Sequence, residues 1–209
     1  MQAPHERVVL VHGLWMNKYA MGYLSRRLRC AGYDVESFSY YAALRPFEDE
    51  VARFVSRMRT PMRRTHFVAH SLGGVLVLAA LPRLSDQDIG RAVLLGSPLR
   101  GSQGAQQFMR HAFGRFCIGA SADLWHSFPV LRCAAGSEVG VIAGTRRIGL
   151  GRFFTTLPAP NDGVVTVEET RIPGLSDHIV LPLSHTGMLF APAAAQQVEQ
   201  FLRTGRFLR

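Results

Sequence analysis

The chain has 209 residues, of which 47% are hydrophobic and 19% are charged, and its formal net charge is +9 at neutral pH. This length suits one domain with a sizeable core, and the composition excludes a disordered chain. No apolar run approaches the ~20 residues that a membrane-spanning helix needs. The first seven residues hold no apolar signal region, which predicts a cytoplasmic protein.

Arginine carries nearly all of the positive charge. Lys18 is the only lysine, and the arginines are scattered along the chain. No nucleic-acid-binding motif accompanies the charge, so we predict no nucleic-acid partner. Weak association with an anionic membrane surface is the interaction that this charge still favours.

The three cysteines predict neither a disulfide framework nor a zinc site. Cys30, Cys117 and Cys133 are odd in number and lack Cys-x-x-Cys spacing. We therefore expect buried free thiols and no bound metal.

Predicted strands alternate with predicted helices along the chain. The strands cover 8–11, 35–40, 65–69, 92–95, 139–143 and 179–181; the helices cover 19–30, a segment that Pro46 opens, 72–81 and 193–202. This alternation predicts an α/β fold, a single domain over residues 1–209 with about six mostly parallel strands and helices on both faces. The carboxyl ends of the strands then meet at one edge, where such sheets hold their active sites.

Residues 69–74, Ala-His-Ser-Leu-Gly-Gly, lie between the third predicted strand and the helix that follows. A sharp strand-to-helix turn with small residues on both sides of a serine is known as a nucleophile elbow, and it exposes the serine hydroxyl. The helix directs the positive end of its dipole to the place where acyl transfer develops an anion. Ser71 is therefore the predicted nucleophile. Ser97 is a rival, but Pro98 has no N–H to donate, so we interpret Ser97 as a structural or cleft-edge residue.

A serine hydroxyl needs a base within hydrogen-bond reach, and the base needs an orienting acid. Elbow enzymes carry these groups in the chain order serine, acid, histidine. Only His178 and His185 lie late in the chain. His178 begins the last predicted strand and so lies at the wrong edge, whereas His185 follows that strand. His185 is the predicted base.

Asp162 is the predicted acid. It lies after the fifth strand in an Asn-Asp-Gly sequence, which by itself would also suit an ordinary turn. Two carboxylates precede strands and face the wrong edge, namely Glu138 and Asp177. The second choice is Asp123, and the sequence leaves two acids slightly downstream open, Glu168 and Glu169.

Two backbone amides should hold the oxyanion. One belongs to Leu72, directly after the nucleophile, and the other to Leu14 or Trp15 in the loop after the first strand. We expect the side chains of Trp15 and Met16 to contact the substrate, and we interpret His12 as a structural residue of this loop. The chemistry requires no metal or cofactor.

Together these motifs resemble the α/β-hydrolase family, and within it the small bacterial lipases and esterases. The resemblance is carried by residues 11–14, 69–74, 95–98 with 100–102, and 161–165 with 184–185. Ala69 stands where the wider family has glycine, as in small lipases of the family. The resemblance implies hydrolysis of carboxylic esters through an acyl-enzyme. A thioesterase or acyltransferase on the same triad is the alternative, and a non-catalytic binding module of this fold is a third interpretation.

The chain is too short for a full cap domain, and its longest insertion between predicted strands covers residues 101–137. Apolar residues recur in it at helical spacing, namely Ala105, Phe108, Met109, Ala112, Phe113 and Phe116. We favour a helix that packs this face on the sheet. The alternative is a partial lid or a wall of the substrate site.

Overall fold

The computed structural model describes residues 6–58, 64–84, 89–133, 136–148 and 156–209. Six strands within these ranges form one parallel sheet: β1 (Arg7–Val11), β2 (Asp34–Phe38), β3 (Thr65–His70), β4 (Ile89–Leu95), β5 (Val139–Gly144) and β6 (Asp177–Leu181). The helices are α1 (Gly22–Cys30), α2 (Phe47–Met58), α3 (Leu72–Ala80), α4 (Gln103–Phe108), α5 (Ala112–Ile118), α6 (Ala122–His126) and α7 (Pro192–Thr204). The predicted α/β class is confirmed.

The strand order across the sheet is β2-β1-β3-β4-β5-β6. After β2 the chain returns past β1 to form β3, so the direction of winding reverses between β1 and β3. Val11 and Ala69 are paired in register at the carboxyl ends of these two strands. The loops that follow β1 and β3 therefore leave the sheet side by side, at the point where open α/β sheets bind their ligands.

Helices cover both faces of the sheet and create two apolar clusters. Side chains of α2 and α3 pack on one face, and those of α1 and α7 pack on the other. Successive strand residues point to opposite faces. Val9 and Val11 accordingly join the first cluster, whereas Val8 and Leu10 join the second. This two-sided burial accounts for the continuous apolar run of β1.

The most apolar helix is α3, whose nine residues are nearly all buried. In the described ranges, no helix is both long enough and apolar enough to cross a bilayer. α3 packs closely on the end of β1, and its residue Gly73 makes this approach possible. A Cβ at Gly73 would lie 2.6 Å from the carbonyl oxygen of Val11 and would also collide with that of His12.

We expect Gly73→Ala to destabilise the protein by about 2 kcal/mol, because backbone atoms cannot yield to the added methyl group. Gly22→Ala is the matched control, since nothing lies within 4 Å of a Cβ at that helical position. Alanine favours a helix more than glycine does, so the control should be neutral or stabilising. The measurement is the free energy of unfolding in urea, and equal losses in the two variants would contradict this packing.

Burial lowers the pKa of four histidines, since it disfavours the charged ring: His12, His66, His70 and His178. The pKa of His178 falls to about 4. The unfolded chain, with histidine pKa values of about 6.5, then binds more protons than the folded chain at intermediate pH. The free energy of unfolding is therefore expected to fall as the pH drops from about 6.5 towards 4.

Urea denaturation at several pH values in this range tests the linkage. His178→Gln should make the fall less steep, because one site of proton uptake by the unfolded chain is gone. Its amide can still donate to Thr170 Oγ1, which lies 2.9 Å from His178 Nε2. An unfolding free energy that is constant over this range would contradict the expectation.

The three cysteines are free, but the expectation that they are buried is wrong. Cys30 is exposed at the end of α1, and Cys117 and Cys133 are half-buried. Leu24 and Leu28 form the buried face of α1, and Cys30 lies outside this face.

The prediction of one continuous helix in the insertion is also wrong. α4, α5 and α6 are separated by turns, and only the first part of the apolar series packs on the core, through Ala105, Phe108 and Met109. Phe113 and Phe116 are 65% and 84% exposed. The chain turns after Phe108, and Gly114 packs against the carbonyl of Phe108, where a Cβ would collide. The turn between α4 and α5 interrupts the helical spacing, and glycine at position 114 allows the two helices to approach closely.

Candidate active site

Ser71 occupies the turn between β3 and α3. Its backbone has φ 53° and ψ −125°, and its N–H donates to the carbonyl of Leu95 in β4 at 2.9 Å. Trp15 is the only other non-glycine residue with positive φ in the described part of the chain. Such a conformation persists only where the surroundings impose it. The N–H of Leu72, at the first position of α3, has no acceptor within the helix.

The loop after β1 lies directly against Ser71. A Cβ at Gly13 would stand 3.2 Å from Ser71 Cβ and 2.9 Å from His70 Nδ1. Glycine is therefore required for the two loops to meet. The reversal of strand order between β1 and β3 places these two loops side by side.

His185 and Asp162 form a buried hydrogen-bonded pair. His185 Nδ1 lies 2.8 Å from Asp162 Oδ2, and the two side chains are 9% and 1% exposed. The other carboxylate oxygen accepts from the N–H groups of Val164 and Val165, at 2.9 and 2.7 Å. The N–H of His185 donates to the carbonyl of Asp162 at 3.0 Å. An ionised Asp162 holds the proton of His185 on Nδ1, which leaves Nε2 as the basic nitrogen.

The end of β4 leaves room for this pair. Gly96 has φ 56°, and a Cβ there would lie 3.0 Å from Asp162 Oδ2 and 3.1 Å from His185 Nδ1. The positive φ and the close approach both favour glycine at this position. The segments that follow β3, β4, β5 and β6 thus meet at the carboxyl edge of the sheet.

His70 supports His185, a role that the sequence did not reveal. Its ring centroid is 4.6 Å from that of His185, and its Nε2 lies 3.0 Å from the carbonyl oxygen of His185, to which it donates. His70 is fully buried, and burial together with the neighbouring His185 lowers its pKa well below the usual value. It therefore stays neutral beside His185. Its place directly before Ser71 was the only signal in the sequence.

The groups assigned to the wrong edge lie at the amino ends of their strands. Glu138 precedes β5 and pairs with Arg91 at 3.0 Å. Asp177 begins β6 and pairs with Arg209 at 2.6 Å. His178 follows it in the same strand. These ion pairs lie at the amino-end edge of the sheet, whereas Ser71 lies at the carboxyl-end edge.

Three further acids are separated from His185 by the fold. Asp123 is exposed in the first turn of α6, and Glu168 is on the surface. Glu169 is buried, but it accepts hydrogen bonds from Thr166 and from the N–H of Gln103. Burial raises the pKa of Glu169. This carboxylate links the Asp162 loop to the start of α4.

Ser97 is fully buried beneath α3. Its Oγ has no hydrogen-bond partner among the described residues, and its Cβ would lie 2.7 Å from a Cβ at Gly74. This position fits the interpretation of Ser97 as a structural residue.

The loop after β1 contains a tight turn over Gly13–Met16, closed by the N–H of Met16, which donates to the carbonyl of Gly13 at 3.3 Å. His12 fixes the start of this loop. Its Nδ1 lies 2.8 Å from the carbonyl oxygen of Gly13, and its ring stacks on Tyr40 at 4.8 Å. The Tyr40 hydroxyl donates to the carbonyl of His12 at 3.0 Å, a contact that sequence patterns did not indicate.

A cavity of about 140 Å³ separates this turn from the chain after β2. Its lining is largely apolar and consists of His12, Gly13, Leu14, Trp15, Met16, Tyr40, Tyr41, Ala42, Ala43 and Leu44. The buried carboxylate of Glu50 secures the outer wall, because it accepts from the N–H of Tyr41 at 3.2 Å and pairs with Arg53. Trp15 and Met16, the predicted substrate contacts, therefore face a cavity that adjoins Ser71 through Gly13.

Comparison with known proteins agrees with this fold. Residues 8–200 match the model of the alpha/beta hydrolase family, and the chain belongs to that family. The mature lipase BlEst2 of Bacillus licheniformis superposes with a TM-score of 0.75 and 19% identity, over 98% of this chain and 94% of that one. Phospholipase PlaB of Legionella pneumophila gives 0.71 and 16%, over 95% and 60%. Such identities show the fold alone. The human lysosomal thioesterase PPT2 is 22% identical over 214 residues, 84% of this chain and 70% of that protein.

Proposed function

We propose that this protein is a serine hydrolase of carboxylic esters that works through an acyl-enzyme. The observation that carries the proposal is the Asp162–His185 pair, 2.8 Å between oxygen and nitrogen, at the same edge of the sheet as a serine with φ 53° at the start of a helix. A buried acid that orients a histidine, next to a strained serine, is the arrangement that acyl-transfer hydrolases use.

In the proposed reaction, His185 Nε2 takes the proton of Ser71 Oγ as this oxygen attacks the ester carbonyl. Asp162 holds Nδ1–H and stabilises the imidazolium that forms. The N–H group of Leu72 and that of Leu14 or Trp15 bind the oxyanion, and the loss of one such donor typically costs about 3 kcal/mol. His185 then protonates the departing alcohol, and a water activated by the same ring releases the acid.

The surroundings of the site favour an apolar acyl group. Leu14, Trp15 and Met16 contribute no charged side chain to the cavity. Its rim is apolar and exposed, since Trp15, Tyr41 and Leu44 are 63%, 56% and 79% exposed. An acyl chain would cover this surface and gain about 25 cal/mol for each Å² of apolar area removed from water.

The test is the hydrolysis of p-nitrophenyl esters over a series of acyl-chain lengths. We expect turnover, with a burst of p-nitrophenol equal to the amount of enzyme where release of the acid is slow. The absence of turnover and burst at every chain length would contradict the proposal.

A thioesterase is the second candidate, favoured by the similarity to the human lysosomal thioesterase PPT2. The same serine and oxyanion donors would serve a thioester. Oxygen and sulfur esters of one acyl chain distinguish the two functions through the ratio of their kcat/KM values. A higher kcat/KM for the thioester would favour the second candidate.

A further inference from the structure

Trp15 has an unusual backbone for an aromatic residue. Its φ is 59°, a region that bulky side chains rarely adopt. It is the third residue of the Gly13–Met16 turn. In such turns the sign of φ at the third residue accompanies the orientation of the peptide between the second and third residues. The conformation of Trp15 therefore decides where the amides of this turn point.

The side chain of Trp15 is held by the insertion. Its indole Nε1–H donates to the carbonyl of Cys117 at 2.7 Å, across 102 positions of the sequence. Cys117 lies in the last turn of α5, where carbonyls lack a donor within the helix. The indole also makes a T-shaped contact with the ring of Phe108 in α4, with ring centroids 5.8 Å apart.

The insertion is in turn attached to fixed parts of the molecule. The N–H of Gln103 donates to Glu169 beside the Asp162 loop, and the N–H of Ala120 donates to the carbonyl of Ala43 at 3.0 Å. Trp15 is thus the connection between this attached segment and the turn that faces Ser71.

We propose that Trp15 is a positioning residue for the oxyanion site, whose indole hydrogen bond to Cys117 keeps the strained Gly13–Met16 turn oriented as long as α5 is in place. The proposal rests on the function proposed above. It gives the insertion a role in catalysis through the backbone of Trp15, without contact between α5 and the reacting atoms. Without the bond, the peptide between Leu14 and Trp15 can turn over and withdraw the Trp15 N–H from the site.

Trp15→Phe tests the role, because it keeps an aromatic ring against Phe108 and removes only the donor. Displacement of a catalytic group by about 1 Å can cost a factor of about 100, so we expect kcat for the ester to fall by about tenfold or more. KM should stay within about twofold, because the oxyanion donors act mainly in the transition state.

Trp125→Phe is the matched control. Trp125 lies in α6 of the same insertion, is buried, and its indole nitrogen has no hydrogen-bond partner among the described residues. Its replacement removes an equal group from the insertion that holds Trp15, and kcat should remain within about twofold. An unchanged kcat in Trp15→Phe, or an equal loss in both variants, would overturn the proposal.

Exchange of the indole N–H with solvent, followed by NMR, separates this proposal from the proposed function. The resonance of Trp15 is assigned by its disappearance in Trp15→Phe. Slow exchange in the wild type supports the bond to Cys117, and exchange at the rate of a free indole overturns the proposal whatever the activity. A wild type without turnover but with a protected indole would refute the ester hydrolase and leave the bond established.

Discussion

Ser71→Ala is expected to lower kcat for ester hydrolysis by about 10⁴-fold or more, since it removes the atom that would form the acyl-enzyme. KM should change little, because the variant loses only the Oγ atom. A fluorophosphonate probe should label the wild type and fail to label the variant. This labelling also distinguishes a hydrolase from a non-catalytic binding module, in which an unactivated serine would stay unlabelled.

Ser97→Ala provides the matched control for the nucleophile. Ser97 lies one strand away, is fully buried and has an Oγ without a partner among the described residues. Its replacement should leave both labelling and turnover close to those of the wild type. If Ser97→Ala abolished labelling while Ser71→Ala retained it, the proposed nucleophile would be wrong.

Asp162→Asn is expected to lower kcat by about 10³- to 10⁴-fold with a modest change in KM. The amide can still accept hydrogen bonds from Val164 and Val165 through its oxygen, so the loop should keep its path. Its NH₂ group would face His185 Nδ1 as a donor, which favours the tautomer with the proton on Nε2. The histidine would then be unable to accept the proton of Ser71.

Asp123→Asn is the control for the acid. Asp123 was the second choice from sequence, and it is exposed in α6. Its loss should not change kcat by more than about twofold. Turnover by Asp162→Asn at the wild-type rate would contradict the role of Asp162, even if Ser71 proved essential.

The order of the elements and the position of Ser71 could be predicted because local signals carry them. Runs such as residues 8–11 are apolar throughout only when both faces of a strand are buried, and β1 is buried in this way. The turn at Ser71 is encoded by the residues on either side of it. His185 and Asp162 followed from chain order and from the rule that chemistry occurs at the carboxyl edge of the sheet.

Distances between remote segments could not be predicted in this way. Asp162 and Glu169 are seven residues apart in one acidic, turn-rich region, and their hydrogen bonds separate their roles: Asp162 binds His185, whereas Glu169 accepts from Thr166 and Gln103. The insertion carried helical spacing, but α5 ends at Gly119, which packs against the distant backbone of Ala43. The φ of Trp15 depends on a carbonyl 102 residues away.

The loop that bears His185 is held by its main chain. The N–H of His185 donates a hydrogen bond to the carbonyl of Asp162, and the carbonyl of His185 accepts one from His70 Nε2. Neither bond depends on which side chain stands at position 185. In an evolving lineage, this position could therefore lose its imidazole without the loop losing its path. Catalytic activity would be lost before the fold was lost. Inactive descendants that keep the fold would then be available for new binding roles.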